Sequence, residues 1–149
     1  MPAFTGSHCP RFQSDLKPQL VTDLIDTGKA RLVFREVYFD RPGIWASLVA
    51  RAAGPYRYFA VADLLYERQR EWTAGDGAEI AANLRKIGKI AGIPDEDVDA
   101  AFADAAQAEA LVAWQEANLE RDGVNATPTV FVNGTRTSGW DFDSIVAAI

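Results

Sequence analysis

The sequence predicts an α/β fold, in which a small sheet carries helices on its faces and a long helical block separates its strands. Three observations support this prediction. Residues 31–39 (RLVFREVYF) are rich in β-branched and aromatic side chains, which is typical of a buried strand. Asn133-Gly134, between the predicted strands Thr129–Val132 and Thr135–Ser138, is the strongest short signal for a β-hairpin. The segments between these strands have helical character, and that element order favours a sheet covered by helices.

The first helix is predicted between Pro10 and Gly28. Apolar residues recur there at helical spacing, namely at Phe12, Leu16, Leu20, Leu24 and Ile25. Pro10 suits the first turn, where its missing N–H costs nothing, and Gly28 suits the C-terminal stop. Pro18 falls inside the pattern, so we expect a kink, because proline removes a hydrogen bond to the preceding turn.

Four helices are predicted between the strand at 31–39 and the hairpin. They cover residues 44–53, 56–74, 79–91 and 95 to about 122. The sequence DRPG at 40–43 breaks the chain before them, and the sequences GDG at 75–77 and GIP at 92–94 separate them. Asp95 is expected to cap the last helix of the block, and Asp143–Ile149 is expected to form a short closing helix.

Length and charge narrow the class of protein. A length of 149 residues fits one domain, so we expect residues 1–149 to form a single unit with a helical insertion at about 44–122. Hydrophobic residues make up 48% of the chain, which supplies a core without disulfides or metals. The net charge of −6 argues against a nucleic-acid partner. No apolar run reaches the roughly 18 residues of a membrane span, and residues 1–9 lack the regions of a signal peptide.

The acidic and aromatic clusters of the helical block are interpreted first as structural features. Carboxylates at the start of the last long helix fit a solvated helix N-terminus and lack the spacing of metal ligands, so no metal site is expected: Asp95, Glu96, Asp97 and Asp99. An aromatic group is expected in the core and at the domain interface, with a substrate groove as the alternative: Tyr56, Tyr58, Phe59, Tyr66 and Trp72.

Chemistry is concentrated around the only cysteine, Cys9, which lies ahead of the first helix in the run Gly6-Ser7-His8-Cys9-Pro10. A single cysteine excludes an intrachain disulfide. A thiol at a helix N-terminus feels a partial positive charge, which favours the thiolate. The alternative is a small, buried and inert cysteine. His8, the only histidine, is a candidate partner because it is adjacent to Cys9.

Two runs of the sequence carry a resemblance to a known family. Residues 8–12 (HCPRF) match the second half of the Cys-Pro-His-Cys-x-x-Phe motif of DsbA-like proteins, and residues 127–134 (TPTVFVNG) resemble that family's cis-proline strand and hairpin. Residues 34–40 and the helical block extend the resemblance to bacterial members along nearly the whole chain. The resemblance implies a thioredoxin-like fold with an inserted helical domain, a cis Thr127–Pro128 bond, and disulfide exchange with protein or small thiols near that bond.

The chain departs from the family's motif at its first two positions. Gly6 stands where the family has its nucleophilic cysteine and Ser7 where it has proline, so Cys9 takes the resolving position. The resemblance therefore implies Cys9 and His8 as catalytic residues, and it implies substrate contacts at Thr127, Pro128 and Ser7. It implies a periplasmic location. It implies no cofactor, and glutathione would be at most a substrate.

The family also has a central strand before the motif, where this chain has only Met1–Thr5. We therefore expect the first strand to be truncated or missing. A misassigned start, a frameshift or a decayed gene would each produce this pattern.

Three functions fit these observations. The first is a thiol–disulfide oxidoreductase that is impaired or works as a monothiol, because oxidase turnover needs two cysteines. The second is a glutathione-dependent transferase or isomerase, in which Ser7 would stabilise a thiolate. The third is a non-catalytic module that binds an extended peptide beside Pro128 by β-type pairing.

Overall fold

The computed structural model describes residues 1–149, which form eight helical elements and one β-hairpin. The first element, α1, covers residues 9–25. Its α-helical turns (Cys9–Arg11 and Lys17–Leu20) alternate with wider π-helical turns (Phe12–Leu16 and Val21–Ile25). The other elements are, in chain order, α2 (Arg41–Ala52), α3 (Tyr58–Glu67), α4 (Gln69–Trp72), α5 (Gly77–Ile90), α6 (Asp95–Ala103), α7 (Ala105–Asp122), β1 (Phe131–Val132), β2 (Thr135–Arg136) and α8 (Phe142–Val146).

The irregular turns of α1 surround the predicted position of the kink. Pro18 lies in the short α-helical turn between the two π-helical turns. Proline offers no N–H to the preceding turn, and wide π turns are a common way for a helix to absorb such a gap. The helix ends at Ile25, three residues before the expected stop at Gly28. Gly28 itself has a positive φ of 72°, a conformation that glycine adopts without strain.

Side-chain caps shift or divide several predicted helices. The helix predicted from Ile44 begins at Arg41, because the Asp40 carboxylate accepts the Gly43 N–H at 2.9 Å and Pro42 suits the first turn. The helix predicted at 95–122 is two helices, because the Asp104 carboxylate accepts the Gln107 N–H and starts α7.

Other boundaries also differ from the sequence prediction. The helix predicted at 56–74 is divided at Arg68, whose backbone angles leave the helical region. Pro94, and not Asp95, occupies the cap position of α6, and Asp95 is the first residue inside that helix. The predicted closing helix, Asp143–Ile149, is the shorter α8.

The main core joins the helical block to the N-terminal residues. It contains sixteen buried residues, among them Val49 of α2, Leu65 of α3, Leu84 of α5 and Val98 of α6, together with Phe4 and Cys9. Gly88 lets α5 and α6 approach closely, since a Cβ added there would lie 2.7 Å from Cγ2 of Val98. None of the helices is long and apolar enough to cross a membrane.

A second, smaller cluster joins α1 to the C-terminal part of the chain. Phe12, Leu16 and Leu20 of α1 pack with Ile145 of α8. Partly buried residues of the hairpin region complete this contact: Val130, Val132, Trp140 and Phe142. The helix that begins at Cys9 is thereby fixed beside the hairpin.

The sheet is smaller than predicted. Only Phe131–Val132 and Thr135–Arg136 pair, antiparallel, in the register Phe131↔Arg136 and Val132↔Thr135. The turn between them has positive φ at Asn133 (50°) and Gly134 (84°), as a tight hairpin turn requires. The hairpin prediction is therefore confirmed, with strands shorter than the predicted Thr129–Val132 and Thr135–Ser138.

The prediction of a strand at Arg31–Phe39 is wrong, although the segment is not helical. It belongs to no ladder. Residues 1–2 lie between this segment and the cis-proline region, because the Val37 N–H donates to the Pro2 carbonyl at 2.8 Å and the Thr129 N–H donates to the Met1 carbonyl at 3.2 Å. The Met1 ammonium also donates to the Thr129 carbonyl. These few hydrogen bonds do not extend into a ladder, so the two segments predicted to share a sheet flank residues 1–2 without forming one.

Candidate functional site

Cys9 is the first residue of α1, and its side chain is fully buried. The Ala3 N–H donates to its Sγ at 3.3 Å, and the Thr127 hydroxyl also hydrogen-bonds the thiol. The Gly6 N–H donates to the Ala3 carbonyl at 3.0 Å and closes the turn that precedes the helix. We call Ala3–Cys9 the thiol turn.

The helical block holds the thiol turn in place. The Gln69 amide at the start of α4 donates to the carbonyls of Phe4 (2.6 Å) and Gly6 (3.0 Å). The Phe4 ring stacks on Tyr66 of α3, with 5.1 Å between ring centroids. No sequence pattern indicates this role for Gln69, because a polar residue on a helix ordinarily faces solvent.

Burial decides the ionisation of the cysteine. Removal from water raises the pKa of the Cys9 thiol, and the hydrogen bonds from Ala3 and Thr127 only partly oppose this. Burial therefore opposes the thiolate that a helix N-terminus favours. This environment agrees with the alternative of a small, buried cysteine.

Gly6 lies within disulfide distance of Cys9. A Cβ added at Gly6 would lie 2.9 Å from Sγ of Cys9 and 3.0 Å from Oγ1 of Thr127. In a disulfide, each Cβ lies about 3 Å from the opposite sulfur, a distance set by one C–S bond and one S–S bond. This distance is compatible with a disulfide between a cysteine at position 6 and Cys9.

The structure brings some of the predicted site residues together and leaves others apart. Thr127 lies against Cys9, and the Thr127–Pro128 peptide bond is cis. His8 and Ser7 are exposed, and neither side chain makes a hydrogen bond within the protein. The thiol turn and Thr127 thus meet at Cys9, while the side chains of Ser7 and His8 face solvent.

A buried charged cluster around Glu36 is not predicted from the sequence. The carboxylate of Glu36, fully buried, accepts hydrogen bonds from four side chains: Tyr38 (3.1 Å), Ser47 (2.8 Å), Arg51 (2.5 Å) and Tyr58 (2.5 Å). A charged residue inside the apolar run RLVFREVYF was the available signal, because a buried carboxylate requires partners. Burial, and then the charge of Glu36, raise the pKa values of the Tyr38 and Tyr58 phenols.

The remaining candidate residues are dispersed. No group of three or more His, Cys, Asp or Glu side chains is arranged to hold a metal ion. Of the aromatic group, Trp72 and Tyr66 are core residues, Tyr56 is fully exposed, and Tyr58 and Phe59 line a cavity of about 490 Å³. Burial raises the pKa of Tyr66 well above its ordinary value.

Comparisons with known proteins agree with this geometry. The family profile described as thioredoxin matches residues 3–149. A candidate protein-disulfide oxidoreductase of Rickettsia bellii is 30% identical over 146 residues, which cover 97% of this chain and 56% of that protein. A protein of the same description from Rickettsia felis is 27% identical and is covered to 52%. The chain therefore spans just over half the length of these relatives.

Solved structures show the same fold. Oxidised BdbD from Bacillus subtilis superposes with a TM-score of 0.84 at 21% identity, over 99% of this chain and 81% of that one. Alpha-DsbA1 from Wolbachia pipientis superposes with a TM-score of 0.83 at 18% identity, over 97% and 79%.

The profile match over nearly all residues shows that the chain belongs to the thioredoxin family. Within that family, its architecture is the DsbA-like one, in which helices are inserted into a thioredoxin-like fold. The predicted fold class is therefore confirmed.

Proposed function

We propose that this chain is a DsbA-like thiol–disulfide oxidoreductase in which Cys9 holds the resolving position and Gly6 replaces the attacking cysteine. The observation that carries the proposal is the 2.9 Å between Sγ of Cys9 and a Cβ at position 6. This distance supports the register in which Gly6, and not a residue on the far side of Cys9, occupies the site of the missing partner. With one thiol, the chain acts as an impaired enzyme or a monothiol.

The proposed chemistry is a single exchange. The Cys9 thiol loses its proton to solvent, and the thiolate attacks one sulfur of a substrate disulfide. A new S–S bond joins Cys9 to that sulfur, the substrate S–S bond breaks, and its electron pair leaves on the second sulfur as a thiolate that takes up a proton. The chain cannot release this mixed disulfide by itself, because no second cysteine is present. An external thiol, such as glutathione, must attack it.

Accessibility and ionisation both slow this exchange. The Cys9 thiol is covered by the thiol turn and by Thr127, so a substrate sulfur reaches it only when these residues move apart. Its raised pKa also lowers the thiolate fraction at neutral pH. In this proposal Thr127 and Pro128 present backbone to the substrate, and the exposed Ser7 and His8 border the opening. Substrates are protein or small disulfides, and the family's usual periplasmic compartment would supply them.

Oxidised glutathione tests this proposal. We expect one glutathione per chain to attach to the unaltered protein, measured by intact mass, and none to attach to Cys9→Ser. The rate should rise steeply with pH because Cys9 has a raised pKa. Absence of the adduct from the folded protein even at pH 9, with normal attachment after unfolding, would show that Cys9 takes no part in exchange.

The complete burial of Cys9 favours one second candidate, a module that binds peptides without redox chemistry. In that case an extended peptide would pair beside Pro128, and Cys9 would be a structural residue. Peptide binding that persists unchanged in Cys9→Ser, without any glutathione adduct on the unaltered chain, would favour this candidate.

A further inference from the structure

A polar cavity of about 520 Å³ lies between α1 and α3, immediately beyond the thiol turn. Three residues of each helix line it: Pro10, Gln13, Ser14, Asp63, Tyr66 and Glu67. It begins at Pro10, the residue after Cys9. A peptide held at Cys9 therefore has this cavity next to it.

Two residues of the lining each carry a buried polar atom that has no hydrogen-bond partner within the protein. The atoms are the Tyr66 phenol oxygen and Oε1 of Gln13. The two residues are only 3% and 7% exposed. Buried polar atoms are ordinarily paired, because each unpaired one costs free energy. Burial keeps Tyr66 a neutral phenol by raising its pKa, so both atoms are unused acceptors, which a ligand reaches when the two side chains turn toward the cavity.

The charges of the cavity favour a cation. Its lining contains the carboxylates of Asp63 and Glu67 and no basic residue. Lys17 approaches from the side, but its ammonium is already paired with Asp63 at 2.5 Å. Glu67 makes no ion pair. The lining therefore contains one carboxylate without an ion pair and two residues that each have an unpaired acceptor.

We propose that this cavity binds the ammonium or guanidinium group of a basic side chain on a peptide held at the thiol turn. Such a group brings several N–H donors, which match the phenol oxygen of Tyr66, Oε1 of Gln13 and the carboxylate of Glu67. A metal ion is a poorer match, because no three ligand side chains converge here. The inference rests on the proposed function in one respect, since that function brings a peptide to Cys9.

The inference is tested by measuring peptide binding without disulfide exchange. Both peptides therefore carry serine where the substrate has cysteine. Two residues from that serine, one peptide has lysine and the other has its uncharged analogue norleucine. We expect the lysine peptide to bind about tenfold more tightly, as expected for a charge-assisted hydrogen bond. NMR titration of the labelled protein should place the largest shifts at the amides of Gln13 and Tyr66.

Matched variants assign the effect to the cavity. Tyr66→Phe and Gln13→Leu should each remove most of the lysine preference. Tyr66→Phe should leave the fold intact, because the deleted hydroxyl has no partner in the protein. Tyr56→Phe is the control, since it makes the same chemical change on a fully exposed residue.

The outcomes separate this inference from the proposed function. Equal affinity for the two peptides, or no binding of either, would overturn the inference whatever Cys9 does. Tighter binding of the lysine peptide that Tyr66→Phe and Gln13→Leu abolish would support it. If that preference is found but Cys9 forms no mixed disulfide, the proposed exchange fails while the cavity assignment stands.

Discussion

The buried carboxylate of Glu36 leads to a quantitative prediction for Tyr58→Phe. This change deletes one hydroxyl that donates to Oε1 of Glu36 at 2.5 Å. The ring is retained, and with it the edge-on contacts to Phe34 (6.4 Å) and Phe59 (5.3 Å between centroids). The measured effect should therefore report the hydrogen bond and very little of the packing.

The expected loss follows from the strength of a hydrogen bond to a charged group. Such bonds contribute about 1.5–3 kcal/mol, and Glu36 keeps three of its four donors, so we expect Tyr58→Phe to lower the free energy of unfolding by about 2 kcal/mol. For a chain of this length, that loss corresponds to a decrease in Tm of about 4–8 °C.

Urea denaturation followed by circular dichroism measures this change, with Tyr56→Phe as the control. Tyr56 is fully exposed, so its loss should stay within about 0.5 kcal/mol. In a Glu36→Gln background, Tyr58→Phe should cost clearly less, because the acceptor has lost its charge. Equal effects of Tyr58→Phe and Tyr56→Phe would refute the account of the buried cluster.

Two further predictions concern pH and packing. The pKa values of Tyr38 and Tyr58 are raised by burial, and then by the charge of Glu36. Above a pH of about 10, the unfolded chain therefore loses phenol protons that the folded protein keeps. The free energy of unfolding should fall as the pH rises, and urea titration at several pH values measures this fall. Tyr58→Phe should make this fall shallower, and an unchanged slope would contradict the assignment. Gly88→Ala should destabilise the protein by about 1–3 kcal/mol, because the new Cβ would lie 2.7 Å from Cγ2 of Val98. Thermal unfolding measures this change, and Gly77→Ala is its control. The new Cβ of Gly77→Ala would meet nothing closer than 4.0 Å, so this variant should not be destabilised.

The sequence predicted those parts of the fold that depend on local patterns. Helical spacing located α1, and the Asn133-Gly134 signal located the hairpin, because both are encoded by neighbouring residues. Helix boundaries were less predictable. Asp104 divides a continuous helical pattern by capping α7 with its own side chain, and aspartates also occur on the exposed face of uninterrupted helices.

The interior of the site depends on contacts between distant residues, and sequence patterns do not contain those. Residues 31–39 have the composition of a strand, but a ladder also needs a partner strand beside them. Gln69 contacts the thiol turn although it lies more than sixty positions away in the sequence. The raised pKa of Cys9 likewise depends on how deeply the folded chain buries the thiol, which its position before a helix does not reveal.

The central claim is that position 6 is the place of the missing attacking cysteine. Gly6→Cys/Ser7→Pro tests it, and the proline removes no backbone hydrogen bond, because the Ser7 N–H makes none. Circular dichroism first establishes that each variant is folded. Catalysed oxidation of a dithiol peptide, with oxidised glutathione as the terminal oxidant, is then compared for the unaltered chain, the double variant and Cys9→Ser.

We expect the double variant to form an internal disulfide between position 6 and Cys9 and to turn over rapidly, because it then holds the two thiols that oxidase turnover requires. The unaltered chain should give little turnover, because an external thiol must release its mixed disulfide, and Cys9→Ser should give none. Turnover by the unaltered chain as fast as that of the double variant would contradict the account, and so would a folded double variant that forms no disulfide with Cys9.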